Sequence, residues 1–579
     1  MAEKISLQEV RAVLPHIMAA AVRNLYPDAK TAAGILTEDG FTYDVDPGKT
    51  LADSDLPRIE KEMQSLITRN IPIELRTVSM EEALELFRNE PYKAECISET
   101  SGTEPFTVCV VDGYTDVCGS GLIPSSGMID RNCFKLLSVS GAYWKGDETK
   151  PVLQRIVAVV CSGSKELQEY LAHLEELKKR DHRIIGKELD LFSFHEDAGP
   201  GLCYWHPKGG RMRVAIENFW REEHYKNGYE IVFTPHIGRS WLWETSGHLG
   251  FYRESMYSPM EIDSTDYYIK PMNCPFHIMI YKNSKHSYRE LPFRWAELGT
   301  VYRYEKSGTL HGLTRVRGFT QDDAHIFCTP EQMDSEIAEV LRFSLYMLKS
   351  FDFTDVSAYL STRPEGKCVG ALEKWNAATE ALRNAIVAAG LPYKVDEGGG
   401  AFYGPKIDLK VKDSLGREWQ LSTIQFDFNL PERFGLTYTS RDGNEKQPYM
   451  IHRALLGSLE RFFGVMIENY GGLFPVWLCP TQVQVIPVGH DFDGYARSVW
   501  QKLRAAGIRA DIDVSDENMK QKIRTAQEQK IPYMFILGDR EQAAGTVSCR
   551  IRTGEQQNRA AFDSILAQIK DKIEQKKQP

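Results

Sequence analysis

Long runs in which apolar and polar residues alternate dominate the middle of the chain, over residues 191–475. The segments WAELGTVYRYE, GFTQDDAHIF and REWQLSTIQFDFNL are examples. A period of two places alternate side chains on opposite faces of a strand, which is typical of antiparallel sheets with one covered face. Helical stretches flank these runs. This region therefore predicts one large antiparallel sheet with helices packed on it.

The flanking regions differ in pattern. Residues 1–165 mix an amphipathic helical stretch, QEVRAVLPHIMAAAVRNLY, with strand-like runs such as FTVCVVDGY, which predicts an α+β module. Residues 166–190 are charged, with helical periodicity, and predict a connecting helix. Strand-like runs such as VQVIPVG and YMFILGD alternate with helical stretches over residues 476–579, which predicts a small, mostly parallel sheet. The whole chain is therefore predicted to be an α/β multidomain protein.

Composition excludes several classes of protein. The net charge of −10 and pI of about 5.9 argue against a protein that coats nucleic acid, although a local basic surface remains compatible with them. No run approaches the ~18 apolar residues of a membrane span, and the N-terminus lacks a secretory signal, so we expect a cytoplasmic protein. The 11 cysteines form no CxxC pair, which argues against a disulfide framework. Any metal site must draw its ligands from distant segments.

Charged side chains concentrate in the segment AELGTVYRYEKSGTLHGLTRVRGFTQDDAHIF. Alternation predicts Arg303 and Glu305 on one face of a first strand, and Gln321, Asp323 and His325 on one face of a second. A face with cationic, acidic and imidazole groups is costly to bury unless each group has a partner or a ligand. The pattern fits either a ligand site or an exposed, salt-bridged face.

This segment resembles motif 2 of class II aminoacyl-tRNA synthetases, and RVRGFTQDDAHIF is similar to the form in threonyl-tRNA synthetases. YEIVFTPHI, which contains Pro235, resembles motif 1, and MIHRALLGSLERFFG, which contains Arg461, resembles motif 3. The three motifs stand in the family's order, and the resemblance extends over residues 7–575. It implies a class II antiparallel core, a homodimer formed through motif 1, and activation of L-threonine with ATP for transfer to tRNA-Thr.

The resemblance also implies an ATP site. Arg303 would meet the α-phosphate and the amino-acid carboxylate, while Arg315 and Arg461 would hold the outer phosphates. Arginine suits this role because its planar fork binds phosphate oxygens bidentately and stays charged. Glu305 would bind the adenine amino group and Phe319 would stack on the ring. Mg²⁺ is expected with the nucleotide.

Three residues fall on the zinc ligands of the family: Cys274, His325 and His452. Spacing alone would not predict a metal here, because a lone Cys or His in an apolar run is usually a core residue. One thiolate and two imidazoles leave an open position on Zn²⁺, which the amine and hydroxyl of threonine could fill. The resemblance also implies that Lys406 is a catalytic residue. It places seven further candidates around the substrate: Gln321, Asp323, Tyr403, Gln420, Thr423, Gln425 and Ser458.

The first region resembles the editing domain of bacterial threonyl-tRNA synthetases through NLYPDAK, EDGFTYD and KLLSVSGAYWKGD. That site uses HxxxH on a helix and CxxxH on a loop. Here His16 remains but Ala12 replaces its partner, and Cys118 remains but Leu122 replaces the second histidine. Alanine and leucine can neither bind water nor transfer protons, so serine editing in cis is predicted to be weak or absent. The alternative is that His16 and Cys118 are ordinary packed residues.

Other family positions of this module are kept. Lys93 and Asp116 match the pattern. The small ubiquitin-like domain that often precedes the module in the family is expected to be absent.

The last region resembles the anticodon-binding domain of class IIa synthetases through AGIRADID and KIRTAQEQKIPYMFILGDRE. The candidate tRNA contacts are Arg524, Arg550 and Arg552, because cations beside strands can pair with phosphates and base edges. Solvated surface arginines would fit equally well. Asp516 and Ala543 stand where groups better suited to RNA were expected.

Three alternatives stay open. The missing editing residues also fit a synthetase paralogue with a specialised role, such as inhibitor resistance or specialised metabolism. Serine could replace threonine as the substrate, since it too would bind the metal. A non-catalytic tRNA-binding regulator is the third, and the complete set of motif 2 and motif 3 arginines speaks against it.

Overall fold

The chain forms two compact units, one ending at Glu176 and one running from Leu177 to Pro579. None of the described helices is long and apolar enough to cross a membrane. The computed structural model describes residues 5–100, 105–119, 122–147, 149–366 and 368–579.

The first unit is α+β, as predicted. Its helix α1 begins at a capping box, in which Ser6 and Glu9 satisfy each other's backbone N–H groups, and it packs against a four-stranded antiparallel sheet in the order β1-β2-β7-β6. A second sheet has the order β3-β4-β5. The elements are α1 (Leu7–Leu25), β1 (Lys30–Leu36), β2 (Gly40–Asp46), α2 (Leu56–Thr68), β3 (Ile73–Val78), α3 (Met80–Leu86), α4 (Pro91–Glu99), β4 (Phe106–Val111), β5 (Tyr114–Val117), β6 (Phe134–Tyr143) and β7 (Val152–Val160).

The predicted connecting helix is two helices, α5 (Ser164–Arg180) and α6 (His182–Glu188). Asp181 separates them because its side chain accepts a hydrogen bond from the backbone N–H of Arg183 and so caps α6.

The second unit contains the large sheet that the alternating runs predict. The strands before the C-terminal sheet, some of which lie outside the large sheet, are β8 (Phe192–Ser193), β9 (Tyr204–Trp205), β10 (Glu230–Ile231), β11 (Ile237–Arg239), β12 (Met260–Ile262), β13 (Thr265–Ile269), β14 (Phe293–Tyr302), β15 (Gly318–Cys328), β16 (Val356–Ser361), β17 (Tyr393–Asp396), β18 (Lys406–Lys412), β19 (Glu418–Asp427), β20 (Tyr438–Thr439), β21 (Glu445–Lys446) and β22 (Tyr449–Ser458). The helices are α7 (Pro207–Lys226), α8 (Ser240–Ser246), α9 (His248–Phe251), α10 (Cys274–Tyr281), α11 (Met333–Lys349), α12 (Leu372–Ala388), α13 (Asn429–Arg433) and α14 (Leu459–Tyr470).

Eight of these strands pair in the order β10-β14-β15-β22-β19-β18-β16-β17. The six inner strands are antiparallel, and the edge strands β10 and β17 run parallel to their neighbours. One face is packed under α7, α11, α12 and α14, where Ala324 and Ile326 of β15 join the core. Asp323 and His325 alternate with them and therefore face the other side.

Two strand predictions in this region were wrong. The run YEIVFTP forms a strand only over β10, because Pro235 lacks the N–H that a longer strand would need. Arg303 and Glu305 do not lie on the first strand, since β14 ends at Tyr302. The backbone N–H of Arg303 still donates to the carbonyl of Arg317 (2.8 Å). Arg303 and Glu305 therefore lie at the start of the loop that joins β14 to β15.

The C-terminal sheet has the order β24-β23-β25-β26-β27. Its first three strands are parallel, but β25, β26 and β27 pair antiparallel, so the prediction of a mostly parallel sheet was wrong for this half. The connection between β26 and β27 is too short for a parallel crossover. The elements are β23 (Val483–Pro487), α15 (Asp493–Ala505), β24 (Ala510–Ile512), α16 (Met519–Glu528), β25 (Tyr533–Leu537), α17 (Asp539–Ala544), β26 (Val547–Ile551), β27 (Gln556–Ala560) and α18 (Phe562–Glu574).

Candidate active site

A cavity of about 660 Å³ opens on the face of the large sheet opposite the packed helices. Most of the predicted site residues line it, although they come from segments far apart in the chain. Lys406 is not part of this lining, and its ammonium group pairs with Asp408. The predicted residues that line the cavity are Cys274, Arg303, Glu305, Arg315, Phe319, Gln321, Asp323, His325, Tyr403, Gln420, Thr423, Gln425, His452, Ser458 and Arg461.

One end of the cavity is a cluster of possible metal ligands. Cys274 begins α10, His325 lies on β15 and His452 lies on β22, and all three are buried. Because β15 and β22 are antiparallel and His325 is directly opposite His452, the two imidazoles lie side by side. One ligand atom from each of the three side chains lies within 4.8 Å of the other two. This donor set suits a zinc ion with an open position.

Hydrogen bonds orient both imidazoles. The Nδ1 atoms of His325 and His277 are 2.9 Å apart, and Nε2 of His277 donates to Glu297 at 3.2 Å. On the other strand, Nε2 of His452 donates to Asp427 at 2.8 Å. Each chain of bonds ends on a carboxylate, so Nε2 of His325 and Nδ1 of His452 keep their lone pairs for a metal.

These supporting residues were missed in the sequence. His277 lies three residues after Cys274, a spacing that places both on one side of a helix, and this was the signal that could have found it. Glu297 and Asp427 gave none beyond being acidic residues in strand-like runs.

Burial controls the protonation of the cluster. It lowers the pKa of His325 well below its ordinary value, which keeps the imidazole neutral and able to bind a metal. Burial also raises the pKa of the Cys274 thiol well above its ordinary value. A bound cation is what would reverse this, because a coordinating thiol is deprotonated.

Asp323 lies beside the metal cluster. Burial raises the pKa of its carboxyl group, and His277 opposes the rise. The side-chain amide of Asn273, another residue that the sequence did not single out, donates to this carboxylate at 3.1 Å.

The opposite end of the cavity contains a half-buried cation. Arg461 lies in the first turn of α14, and its backbone N–H donates to the Ser458 hydroxyl (3.1 Å), which caps the helix. Nε of Arg461 is buried, and it has no hydrogen-bond partner among the described residues. Burial and the nearby Arg315 lower the pKa of this guanidinium group. A buried N–H donor without a partner is costly, so this half-buried guanidinium group favours an anionic ligand at this end of the cavity.

Aromatic rings and a carboxylate surround the other arginines. The Arg303 guanidinium carbon lies 5.1 Å from the centre of the Phe319 ring and 5.5 Å from that of Tyr252. Arg315 pairs with Glu305 at 3.0 Å. Both groups lie where the chain passes between β14 and β15, at the edge of the cavity.

The wall formed by β18 and β19 is hydrogen-bonded internally. The Tyr403 hydroxyl donates to Gln425 (2.9 Å), and the Thr423 hydroxyl donates to Asp408 (2.7 Å). The Gln420 amide lies 3.4 Å from the Thr423 hydroxyl. The wall is therefore preorganised by its own contacts.

The first unit has a cavity of its own, of about 630 Å³. The four residues predicted to mark a degenerate editing site all line it: Ala12, His16, Cys118 and Leu122. Lys93 lies in the same lining. The structure thus brings the retained and the replaced positions together on one wall.

Two polar residues of this lining, His16 and Lys93, both bond to Asp116, which is not itself part of the lining. Asp116 accepts hydrogen bonds from His16 (2.7 Å) and from the Tyr43 hydroxyl (2.9 Å), and it forms an ion pair with Lys93 (2.7 Å). Burial alone would raise the pKa of Asp116, but Lys93 and His16 outweigh it and hold that pKa well below the ordinary value. In this network the charges of Lys93 and Asp116 satisfy each other, while Nε2 of His16 has no partner among the described residues.

The three candidate tRNA arginines differ in their surroundings. Arg524 is exposed (72% of its side chain) and pairs with Glu528 at 2.9 Å. Arg550 lies on β26, half buried. Arg552 donates to the carbonyls of Lys530 (2.8 Å) and Phe474 (2.9 Å), so its guanidinium group joins the C-terminal sheet to the end of the large core.

Two family models match the second unit. Residues 258–470 match the tRNA synthetase class II core domain (G, H, P, S and T), and residues 482–572 match an anticodon binding domain. Among curated proteins, the chain is 53% identical over 582 residues to the threonine–tRNA ligase of Borrelia turicatae (strain 91E135), with 100% of each chain covered. It is 53% identical over 570 residues to that of Borreliella burgdorferi (strain ZS7), with 98% of each chain covered.

Solved structures give the same picture. The chain is similar to the RNA binding domain of threonyl-tRNA synthetase from Cryptosporidium parvum Iowa II, with a TM-score of 0.66 and 39% identity over 69% of this chain and 99% of that one. It is also similar to the putative threonyl-tRNA synthetase ThrRS-1 from Aeropyrum pernix, with a TM-score of 0.60 and 30% identity over 69% and 97% of the two chains.

Proposed function

We propose, since the chain belongs to the threonine–tRNA ligase family of class II aminoacyl-tRNA synthetases, that it makes threonyl-adenylate and pyrophosphate from L-threonine and ATP. The threonyl group is then transferred to the terminal adenosine of tRNA-Thr. The observation that carries this proposal is one cavity with a Cys–His–His cluster at one end and the unpartnered Nε of Arg461 at the other. The cluster suits a metal that binds the polar groups of an amino acid, and the arginine suits the phosphates of a nucleoside triphosphate, so one cavity could hold both substrates.

In the first step, the threonine carboxylate attacks the α-phosphate of ATP and pyrophosphate leaves. Arg303 binds the α-phosphate and the carboxylate, which aligns the two reacting groups and offsets their repulsion. Arg315 and Arg461 hold the outer phosphates, with Mg²⁺ bound to the nucleotide. Glu305 binds the adenine amino group, and Phe319 stacks on the ring.

Cys274, His325 and His452 would hold a zinc ion. When bound, zinc would act as a Lewis acid that coordinates the amine and the hydroxyl of threonine. Asp323 accepts a hydrogen bond from one of these groups. Valine has no hydroxyl to offer, and a site built to bind a hydroxyl rejects such an analogue far better than an apolar pocket can.

Further residues are proposed to surround the substrate. Those on β15, on β19, at the end of β22 and in the turn before β18 would contact threonine. Lys406, the first residue of β18, would reach the substrate carboxylate or phosphates from outside the cavity lining. The set is Gln321, Tyr403, Gln420, Thr423, Gln425, Ser458 and Lys406.

The first unit is proposed to lack effective serine editing. Its cavity contains Ala12 and Leu122 at the positions where the family pattern has histidines, and the remaining His16 is bonded to Asp116. Neither an alanine nor a leucine can activate water. The unit keeps a scaffold that can dock tRNA.

We assign residues 1–165 to an editing-like domain, 166–190 to a linker, 191–475 to the catalytic domain and 476–579 to the anticodon-binding domain. Arg524, Arg550 and Arg552 are the proposed tRNA contacts of the last domain.

A cytoplasmic homodimer formed through the segment that resembles motif 1 is also proposed. Large apolar side chains are exposed in and just after this segment, with Phe233 inside it at 84% and Trp241, four residues beyond its end, at 51%. Exposed apolar groups of this size on a folded surface favour a protein interface. Sedimentation analysis of the free enzyme tests this.

The deciding experiment is charging of tRNA-Thr with labelled threonine and, in parallel, with labelled serine, beside ATP–pyrophosphate exchange. Threonine charging together with accumulating seryl-tRNA would support both the ligase and the loss of editing. Threonine charging without seryl-tRNA would keep the ligase. If serine still supports ATP–pyrophosphate exchange, that outcome overturns the loss of editing; if it does not, the amino-acid site itself rejects serine. Absence of exchange with either amino acid would overturn the ligase and favour a tRNA-binding regulator.

A further inference from the structure

A buried histidine lies where the loop between β14 and β15 meets α14. His182, the first residue of α6, is fully buried, and Nε2 of its ring accepts a hydrogen bond from the backbone N–H of Leu313 at 2.9 Å. Its Nδ1 lies 2.6 Å from a carboxylate oxygen of Glu468, and its backbone N–H donates to the same oxygen at 3.1 Å. One imidazole therefore bridges the loop, at Leu313, to the helix, at Glu468.

The partners determine the tautomer of His182. A backbone N–H can only donate, so Nε2 must carry the lone pair and Nδ1 must carry the proton. The Nδ1–H then donates to Glu468. Both ring nitrogens are used, so His182 has no atom left for a metal, even though Asp181, His182 and Glu468 are close enough to suggest one.

Glycines let the three elements meet. A Cβ atom at Gly312 would lie 2.1 Å from Nε2 of His182, and the φ angle of +47° at Gly312 already favours glycine. A Cβ atom at Gly464 of α14 would lie 3.4 Å from Cβ of Leu313 and 3.5 Å from Cδ2 of His182. The loop, α6 and α14 thus pack together without space for a side chain at Gly312.

Both proposed phosphate arginines are close to this junction. Arg315 lies two residues after Leu313, and Arg461 lies three residues before Gly464, on the same side of α14. Both side chains line the same cavity, and burial together with the charge of Arg315 lowers the pKa of Arg461. Two cations repel each other, so the loop needs an attachment that holds Arg315 beside Arg461 before ATP arrives.

We propose that His182 is a positioning residue for ATP: it holds the loop against α14 so that Arg315 and Arg461 form one phosphate site. This rests on the proposed function, in which those two arginines bind the outer phosphates. His182 touches neither substrate, and it acts through the backbone of Leu313. Its removal should therefore weaken ATP binding and leave threonine binding at the Cys–His–His cluster intact.

Two substitutions separate the two hydrogen bonds. His182→Asn keeps an N–H donor near the Nδ1 position, facing Glu468, but its side chain is too short to accept from Leu313. His182→Gln places a carbonyl oxygen near the Nε2 position and can keep the bond to Leu313. In ATP–pyrophosphate exchange, we expect His182→Asn to raise KM for ATP about tenfold, as for a lost buried hydrogen bond. KM for threonine should stay near that of the parent enzyme, and His182→Gln should recover most of the ATP affinity.

The controls separate this inference from the proposed function. If the parent enzyme shows no exchange, the function itself fails. If the parent is active, Arg461→Ala is inactive and His182→Asn matches the parent, only the positioning role is overturned. Equal rises of KM for both substrates would also overturn it, because general loosening does not select ATP.

A second pair of variants covers the case in which His182→Asn does not fold. Gly312→Ala would press the loop away from the imidazole, whereas Gly308→Ala in the same loop meets open space. We expect the ATP-selective rise in KM only for Gly312→Ala. The same KM for both glycine variants would contradict the proposal.

Discussion

The two cavities of this chain are alike in size and in residue types, yet they differ in how their polar groups are satisfied. Both are about 630 to 660 Å³ and both are lined by cysteine and histidine. In the catalytic unit, the buried Nε of Arg461 lacks a partner among the described residues, and one nitrogen of each cluster histidine stays free. In the first unit, the buried ammonium group of Lys93 is paired with Asp116, whereas His16 resembles the cluster histidines in bonding a carboxylate through one ring nitrogen only, Nδ1.

The two cavities thus differ in their cations: Nε of Arg461 is left for a ligand, whereas Lys93 is already paired within the protein. A buried N–H donor on a cation is costly to leave without a partner, and an anionic ligand would remove that cost. A buried cation that is already paired with a carboxylate, as Lys93 is with Asp116, stabilises the fold without any ligand. The presence of reactive residue types alone does not distinguish the two cases.

The largest expected effect comes from removing Arg461, the cation whose buried Nε has no partner among the described residues. Arg461→Ala should lower the rate of ATP–pyrophosphate exchange by about 10³-fold, because charge stabilisation at the phosphates is the main protein contribution to this step. Arg342→Ala, an exposed arginine paired with Glu339 on α11, is the matched control and should exchange normally. An active Arg461→Ala enzyme would end the contrast between the two cavities.

Loss of a metal ligand should come next. Cys274→Ala is expected to lose the bound zinc, about one ion per subunit in the parent, and to lower threonine activation by roughly 100-fold. Metal analysis and exchange at saturating ATP measure the two effects. Cys368→Ala, outside the cavity, should retain both metal and activity. A metal-free parent enzyme that activates threonine would refute the assigned ligands.

The ion pair of Lys93 with Asp116 in the first unit predicts a loss of stability rather than of activity. Asp116→Asn leaves Lys93 buried without its charge partner, which should cost about 3 kcal/mol in the free energy of unfolding. Because the pKa of Asp116 is held below its ordinary 3.8, the stabilisation is present above that pH and is lost as the pH falls further. Denaturant unfolding of this variant and of the parent measures both, and an unchanged stability would show that the network is dispensable.

A smaller expected effect is a gain of editing activity. It tests whether the two replaced side chains alone account for the predicted loss of editing. Ala12→His combined with Leu122→His should raise deacylation of seryl-tRNA by about tenfold over the parent, since general acid–base groups would again face the cavity. Adding His16→Ala to this double variant is the control and should remove the gain. If the double variant stays inactive, the first cavity has lost more than its two histidines.

The sequence predicts some of this site directly and some of it only through resemblance. Strict alternation on β15 placed Gln321, Asp323 and His325 on one face, and all three line the cavity. The same argument failed for Arg303, because a strand end cannot be located to a residue when polar and apolar positions continue to alternate into the loop. The hairpin of β26 and β27 was missed because RTGEQ is a weak turn signal.

Partnerships across strands were out of reach of the sequence alone. Spacing gave no reason to join Cys274 with His452, since strand register is a tertiary property. Nor could it show that Asp427 would orient His452, or that Asp408 would take both Lys406 and Thr423. Which polar groups end up satisfied depends on neighbours that only the fold supplies.

The direct pairing of His325 with His452 also constrains how this chain can change its length. Side chains on a strand alternate, so inserting or deleting a single residue within β15 or β22 would turn one imidazole toward the packed helices and away from the cavity. Side chains in the flanking loops do not alternate between two faces, so a change of one residue there has no such effect. Insertions and deletions in this part of the chain should therefore be confined to the loops, and a shift within either strand should be tolerated only in increments of two.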